Sequence, residues 1–440
     1  MIDNTVFTKP LKALYHSFGC KLNFAETASV ADAFAREGIN AVSAGETPDI
    51  IVVNTCSVTG EADRKCRSAI RSFNRRYPEA LILVTGCYAQ LKPEEVAELA
   101  GVGVVAGVND KLKLVELAKK YFEDRQAKVT VPLAKDLRDF MPSCSRGDRT
   151  RYFLKVQDGC DYWCTYCTIP AARGRSRSGS IAQIVAQAEE VARAGGKEIV
   201  LTGVNIGDFG RGRDDNFEDL CRALDEVDGI ERYRISSIEP NLLTDSLIDF
   251  VGESKRFMPH FHIPLQSGSD EVLALMRRRY DTALFASKVE RVRTVLPDAF
   301  IGVDLIVGAR GETEERFRAS KKFIEGLDIS HLHVFAYSER PGTRALQIEH
   351  VVSQHDKHLR SAEMLEVSAA KHAAFASRFL GQTRPVLLEH SRPGQKLGGF
   401  TDNYLRVETD LPEAYDNNLV AMRLDTLGSD GETVAATLAE

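Results

Sequence analysis

Long apolar runs are missing from this chain: no stretch approaches the roughly 18 to 20 residues needed to cross a bilayer. The amino terminus, MIDNTVFTKPLKALYHSFGC, has no charged start followed by a long apolar segment, so neither a membrane span nor an export signal is expected and the cytoplasm is the expected location. Cysteine is scarce, nine in 440 residues, which is too thin for a disulfide framework and points to metal or redox chemistry. No charge of one sign dominates: 57 Lys and Arg against 63 Asp and Glu give a formal net charge of −6. That total does not advertise a nucleic-acid binder, although bases gathered on one face serve that purpose whatever the sum. Internal repeats and low-complexity tracts are absent, which excludes solenoids. What is present is ordinary globular material, 43% hydrophobic, 27% charged and 8% aromatic, with length for about three domains.

Three patterns follow one another. From Leu11 to about Lys120, the strand-like runs LKALYHSF, DIIVVNT, LILVTG and VGVVAG alternate with helical segments beginning near Asn23, Ser57 and Pro93, the signature of an α/β doubly wound parallel sheet. The residues 129–150 contain Pro132, Pro142, Gly147 and several charges, as a linker does. From Tyr152 the runs YFLKVQ, EIVLTG, YRISSI, HFHIPL, FIGVDLIVG and HLHVFAYS are separated by helical stretches such as Ile181 to Ala194, Asp245 to Gly252 and Glu314 to Glu325. Six β/α units are too few for the usual eight-unit barrel and fit a partial (β/α)6 barrel over residues 151–375, with a long helix from about Ser353 to Leu380. The tail, 376–440, has short alternating runs broken by Gly, Pro and Asn-Asn, as in a small all-β barrel.

Two sets of cysteines carry chemistry. Cys160, Cys164 and Cys167 in DGCDYWCTYC place three thiolates on one tight loop after the first barrel strand. A closed structural zinc site has four ligands, whereas three on a 4Fe-4S cluster leave the fourth iron open to a substrate or cofactor. The alternative is a zinc knuckle with a distant fourth ligand, or three buried thiols. Cys20, Cys56 and Cys87 each end a parallel strand, along the edge where such sheets bind ligands. Any one of them alone reads as a small buried hydrophobe, but three at equivalent positions read as a second open-cornered iron–sulfur site. Cys66, Cys144 and Cys221 lack this placement and read as structural.

The cysteine loop resembles the signature of the radical S-adenosylmethionine superfamily, and the whole chain resembles its methylthiotransferase family. The matching segments are FGCKLNFAET, NTCSVTGEAD and VTGCYAQ in the first domain, and DGCDYWCTYCTIPAARGRSRS, LTGVNIGDF, SSIEP, HIPLQSGSD and GVDLIVGARGE in the second. The tail is similar to the RNA-binding TRAM barrel. One departure is Ala309-Arg310, where the family carries Phe-Pro. The resemblance implies two 4Fe-4S clusters and S-adenosylmethionine as both methyl donor and radical source. A methyl group goes to sulfur at the auxiliary cluster of Cys20, Cys56 and Cys87. The cluster of Cys160, Cys164 and Cys167 generates the radical that removes hydrogen from the substrate carbon, which the methylthio group replaces. An electron donor such as flavodoxin or ferredoxin is implied. For the cofactor pocket the resemblance sets Tyr166 against the adenine. Strand ends suggest Gly203, Asn205, Ser237, Glu239, Gln266 and Ser267, with Glu239 accepting from ribose hydroxyls or the methionine ammonium group. A turn or capping role is the alternative for each. Asp304, inside the fifth strand, reads as a satisfied polar group near the barrel mouth.

Among the family's substrates, GCKLNFAET is most similar to the branch acting on N6-threonylcarbamoyladenosine of tRNA, at position 37 in the anticodon stem-loop. The isopentenyladenosine branch has Gln-Met-Asn in place of Lys-Leu-Asn, and a third choice is an aspartate of a ribosomal protein. Arg64, Arg67, Arg71 and Arg75 recur at helical spacing as a basic stripe. Further bases are Arg146, Arg149 and Arg151, then Arg173, Arg175 and Arg177, then Arg277 to Arg279. Of these, Arg173 and Arg175 join the stripe as candidate RNA contacts, with bracing of the cluster loop as their competing role; a solvated face is the bland reading of any charge run. From Gly381 onward five Lys or Arg face ten Asp or Glu, which suits a basic protein substrate. Arg384, Arg392, Lys396 and Arg406, with Phe400 and Tyr404 for stacking, offer a basic patch for RNA instead. Two further readings are a noncatalytic iron–sulfur RNA-binding module and a radical enzyme whose second cluster only transfers electrons.

Overall fold

Uninterrupted hydrophobicity builds the first layer. In the computed structural model, which describes residues 11–145, 150–389 and 394–439, six strands form one parallel sheet. They are β1 (Lys12–Ser17), β2 (Asn40–Ala41), β3 (Ile50–Thr55), β4 (Leu81–Gly86), β5 (Val102–Ala106) and β6 (Lys128–Thr130), in the order β2-β1-β3-β4-β5-β6. β3 and β4 are buried along their whole length, as runs like IIVV and LILV require when helices cover both faces. Val30 and Phe34 of α1 (Lys21–Arg36) join Ile50 and Val52 in one core, and Cys66 and Ile70 of α2 (Gly60–Arg76) join Ile51, Val53 and Val84 in the other. Register aligns the strand ends, with Ser17 beside Asn54 and Asn54 beside Thr85. The three loops carrying Cys20, Cys56 and Cys87 therefore leave the sheet at one level.

The segment expected as a linker is drawn into both neighbours. Its start completes β6, and β7 (Ser143–Cys144) pairs antiparallel with β8 (Arg151–Lys155). Leu137 and Met141 between them are buried, because each side chain finds an apolar wall; Arg146 and Arg149 lie outside the described residues. β9 (Gln157–Asp158) and β10 (Arg177–Ser178) then pair across the cysteine loop.

The central domain has the six expected parallel strands in two halves. β8, β11 (Glu198–Thr202) and β12 (Arg232–Ile235) form one, and β13 (His260–Gln266), β14 (Phe300–Val307) and β15 (His331–Ala336) the other. Single bridges Tyr233–Phe257 and Ser237–His262 join them. Among the described residues β8 and β15 do not pair, so the barrel is partial. Alternate residues on each strand face opposite ways: Leu154, Ile199, Ile235, Phe261, Ile263 and Val303 belong to the core shared with the helices, which leaves Lys155, Glu198, Arg234, His260, His262 and Asp304 toward the lumen. Phe24 and Ala25 of α1 pack on Phe153 and Val200, bringing the first domain against β8 and β11.

After the helix Gln354–Ser377, the strands β16 (Thr383–Glu389), β17 (Leu397–Thr401), β18 (Arg406–Thr409), β19 (Leu419–Leu427) and β20 (Thr433–Leu438) close into a five-stranded barrel. Its interior holds Val386, Leu388, Val407, Met422 and Val434. Two buried arginines of β12 dock it. Arg232 donates to the carbonyls of Phe400 at 3.0 Å and Pro385 at 2.7 Å, and Arg234 to those of Asp402 and Thr401, both at 2.8 Å. This packing engages most of the expected RNA patch of the tail and leaves Arg406 exposed. Phe400 lies under Arg151, 4.3 Å from guanidinium to ring centre, and Tyr404 stacks on Phe400 and sits 4.2 Å from the His260 ring. Arg384 is paired with Asp402 and Asp298, and Lys396 with Asp410; Arg392 lies outside the described residues. Among the described residues no helix is long and apolar enough to cross a membrane.

Arg234 also donates to Glu198 at 2.9 Å, with both side chains buried. Arg234→Met is expected to cost about 3 to 5 kcal/mol by leaving Glu198 with only a distant partner. The readout is a lower thermal unfolding midpoint; an unchanged midpoint would contradict the docking role.

Candidate metal centres and active site

Each cysteine of the first set is delivered by a constrained turn. Cys20 caps α1, Cys56 follows β3, and Cys87 opens the short helix α3 (Cys87–Leu91). Gly19 has φ +88°, and a Cβ there would come within 2.8 Å of the Cys56 sulfur; Gly86 has φ +99°, and a Cβ would meet the Thr55 carbonyl at 2.3 Å. Only glycine serves at either turn. Asn23 ties the loops together: its Nδ2 donates to the carbonyls of Phe18 at 2.7 Å and Thr55 at 3.1 Å, and its Oδ1 accepts from Arg173 at 2.8 Å.

Arg173 belongs to the helix Ile169–Arg173, two residues past Cys167, and its side chain is 1% exposed. It donates to Glu26 of α1 and to Asp158, the latter at 2.9 Å. Lys155 bridges the same two carboxylates at 2.7 Å each, Lys111 closes on Glu26, and Arg177 reaches Asp158 at 3.0 Å. Four buried cations thus face two buried carboxylates. The surplus positive charge acts at Cys87: burial raises its thiol, and Arg173 and Lys111 pull it back toward ionisation. These cations offset part of the burial cost of an anionic sulfur, as a thiolate-ligated iron–sulfur cluster requires.

The second set lies against the first. Thr168, next to Cys167, donates to the carbonyl of Ser57, next to Cys56, at 3.5 Å, and Arg340 clamps the same loop through Ser57 and Asp63, both at 2.8 Å. Burial pushes Cys160 and Cys167 up to about 12 and Cys56 up to about 11, so iron must displace their protons on binding. The sulfurs already receive donors: Tyr162 N–H to Cys160 at 3.3 Å, Ile169 N–H to Cys167 at 3.4 Å and Arg278 to Cys164 at 3.0 Å. Such donors stabilise cluster thiolates and tune their potential.

The expected cofactor residues divide. Asn205 is 3% exposed and both polar atoms of its amide lack a partner, the mark of a group that waits for a ligand. The Glu239 carboxyl, raised by burial, accepts from Arg278 through Oε2. Tyr166 packs with Val272 and Met276, and its hydroxyl accepts from Arg278 at 3.4 Å. A Cβ at Gly203 would come 2.9 Å from the Gln157 carbonyl, Ser237 forms the bridge to His262, and Gln266 sits at φ +67°. Ser267 is a correction: it is fully buried, and its hydroxyl accepts from Ser269 N–H at 3.2 Å, which makes it part of the turn. Asp304 takes a hydrogen bond from His262 at 2.8 Å.

Comparison with known proteins agrees with this arrangement. The model of the uncharacterized protein family UPF0004 matches residues 12–107, and that of the radical SAM superfamily matches residues 154–324. The chain is 38% identical over 403 residues to the threonylcarbamoyladenosine tRNA methylthiotransferase MtaB of Bacillus subtilis, covering 89% of each. It is 34% identical over 404 residues to the MtaB of Aquifex aeolicus, covering 91% of this chain and 97% of that one. The chain belongs to the radical S-adenosylmethionine methylthiotransferase family. The radical S-adenosylmethionine methyltransferase TsrM from Kitasatospora setae, solved with cobalamin and a 4Fe-4S cluster bound, shares the fold at a TM-score of 0.56 and 16% identity over 77% of each chain.

In this methylthiotransferase the candidate RNA contacts are only partly on the surface. Arg71, Arg75 and Arg175 are exposed. Arg64 is exposed and paired with Glu61, and Arg67 is engaged by Tyr88 and Glu95, each at 3.0 Å. Arg173 is a correction, because a side chain closed inside an ion network has no face for phosphate; with Arg177 it braces the loop. Arg278, counted first in a basic run, is likewise buried on Cys164 and Glu239. Glu26, Lys155 and Lys21 escaped the sequence reading, and the polar alternation of the barrel strands was a clue to Lys155 alone.

Arg173→Met tests the network. Glu26 and Asp158 are held below the ordinary carboxylate range, burial opposing and the surrounding cations prevailing. Their contribution is present above the unfolded value near 4 and is lost as pH falls through the depressed folded value. Removing Arg173 shrinks the depression, so the variant is expected to lose about 3 kcal/mol at pH 7 and to begin acid unfolding at higher pH than the parent. Coincident acid transitions would contradict this.

Proposed function

We propose that this protein is a tRNA methylthiotransferase that replaces the C2 hydrogen of N6-threonylcarbamoyladenosine at position 37, in the anticodon stem-loop, with a methylthio group. The observation that carries the reading is the contact between the two cysteine loops, since one substrate carbon must reach both a radical source and a sulfur donor. Family membership and the printed activity of the Bacillus and Aquifex relatives support the nucleoside.

Cys20, Cys56 and Cys87 would hold one 4Fe-4S cluster and Cys160, Cys164 and Cys167 the other, with S-adenosylmethionine beside the second. Bound there, these groups supply the hydrogen-abstracting radical and the methylated sulfur, given an electron donor such as flavodoxin or ferredoxin. The chain's own residues position and protect. Arg278 donates to Cys164 and to Glu239 and offsets part of the burial that raises both groups. The free amide of Asn205 offers a donor and an acceptor to the amino acid part of the cofactor. The closed network around Arg173 keeps the two domains from parting and so keeps water from the reacting atoms. Arg71, Arg75 and Arg175 offer phosphate contacts at the surface.

Mass spectrometry of tRNA nucleosides from cells with and without the gene tests the activity: the 2-methylthio derivative of threonylcarbamoyladenosine is expected to disappear with it, and an unchanged level would end the assignment. Cys56→Ala and Cys164→Ala should each lose about half of the bound iron, as two separate clusters require; equal iron in variants and parent would contradict the two-cluster reading. The double variant Arg71→Glu, Arg75→Glu should bind tRNA several-fold more weakly, with a salt dependence shallower by about two phosphate contacts, and an unaltered slope would remove α2 from the RNA interface.

A further inference from the structure

The lumen of the partial barrel holds a cavity of about 480 Å³ whose walls come from all three domains. β13, β14 and β15 contribute His260, His262, Asp304 and His333, and the carboxy-terminal barrel contributes Tyr404. The first domain contributes Lys21, the residue joined by a peptide bond to Cys20. Two features mark this cavity as a binding site. Lys21 has no carboxylate within ion-pair distance among the described residues, although the chain pairs most of its buried and half-buried cations. His260 is 6% exposed, and its Nδ1 is buried without a hydrogen-bond partner. An unanswered donor and an unanswered ring nitrogen in one cavity call for a polar ligand.

The charge balance says which kind. Asp304 is answered by His262 at 2.8 Å, and Glu432 is the other carboxylate in the wall. Burial lowers the pKa of His260, His331 and His333, so these rings serve as neutral hydrogen-bonding groups; the cations of the wall are Lys21, half-buried, and Arg406, exposed. Phe300 supplies an apolar surface in the same wall. From this juxtaposition we infer that Lys21 reads the carboxylate of the threonylcarbamoyl group and thereby selects the acidic nucleoside over an uncharged one of similar size, an inference that rests on the substrate proposed above. A carboxylate seated on Lys21 would lie beside the loop of Cys20, a ligand of the proposed auxiliary site.

The test compares two stem-loop RNAs that carry at the same adenosine either the threonylcarbamoyl group or its carboxamide, which has the same shape without the charge. Equilibrium binding by fluorescence anisotropy and kcat/KM for methylthiolation are measured with the reconstituted holoenzyme under anaerobic conditions. The parent is expected to prefer the acid by at least about tenfold, the scale of one charge-assisted hydrogen bond. Lys21→Met should treat both RNAs alike within about twofold, and Lys21→Arg should retain most of the preference. Because the preference is a ratio within one preparation, differences in cluster loading cancel. A preference that survives in Lys21→Met, or equal treatment of both RNAs by the parent, would overturn the inference alone. Absence of methylthio product from both RNAs with the parent would overturn the proposed function and this inference with it. His262, Asp304 and His333 also hold ligand atoms within 4.8 Å of one another, a spacing that accepts a divalent cation, so binding is repeated with EDTA. Loss of the preference there would replace the direct contact with Lys21 by a metal bridge.

Discussion

A closed set of ionised groups, Glu26, Lys111, Lys155, Asp158, Arg173 and Arg177, holds the first domain on the barrel, and the placement of both cysteine sets depends on it. Removing a charge from water costs several kcal/mol per ion even after relaxation. Such a network is tolerable only when every member meets its partners at hydrogen-bond distance. The two domains therefore have one relative position, because a slide of an ångström or two would strand buried charge on both sides. Apolar packing alone, as between Ala25 and Phe153, would permit several registers. The excess of cations gives the network a second property. It lowers the cost of an anionic sulfur at Cys87, whose thiol burial raises.

The polarity of the barrel interior follows from the same economy of charge. A parallel sheet buried on both faces normally reads as continuous hydrophobicity, and β3 and β4 of the first domain do. The barrel strands instead alternate, RYRI, HFHI and HLHV, with the apolar set against the helices and the polar set in the lumen. Arg232 and Arg234 spend their donors on backbone carbonyls of the last barrel and so fix its orientation. The histidines farther along are left to face the cavity. A lumen lined this way cannot close into an ordinary apolar core, and it stays available to a polar ligand.

Much of this was legible in the residues, and the exceptions share a cause. Local signals carried well: the apolar runs marked the parallel strands, and the position of each cysteine after a strand marked the shared edge. Contacts between residues far apart carried poorly. Glu26 and Arg173 are 147 positions apart, and Lys155 and Glu26 are 129 apart; each alone looks like one more surface charge. Arg173 and Arg278 sit in arginine-rich runs that suggest phosphate binding, and only the fold shows that the neighbours Arg175 and Arg277 are exposed while these two are buried. Phe400 and Tyr404 failed in the same way, as stacking platforms in a short β-run that turn out to be covered by Arg151 and His260. The tail's shortage of bases, which looked unsuited to RNA, is consistent with a barrel whose Arg384 and Lys396 are already paired within the protein.

The place of Lys21 shows how selection and chemistry come to share one element. A residue adjacent to a metal ligand lies about 3.8 Å from it along the chain, and here Gly19, Asn23 and the start of α1 leave that peptide no freedom to swing. Whatever Lys21 binds is therefore held by a side chain whose backbone is fixed beside Cys20. A recognition residue on a separate lobe would let the substrate drift whenever the lobes breathe, and a drift of an ångström is costly when a reactive group must meet one particular carbon. The rest of the cavity wall comes from β13 to β15, the long helix before the last barrel and that barrel itself, and Lys155 and Arg173 hold the first domain to the central one. A substrate seated there would be measured against a frame whose parts cannot move apart without exposing the charges that join them.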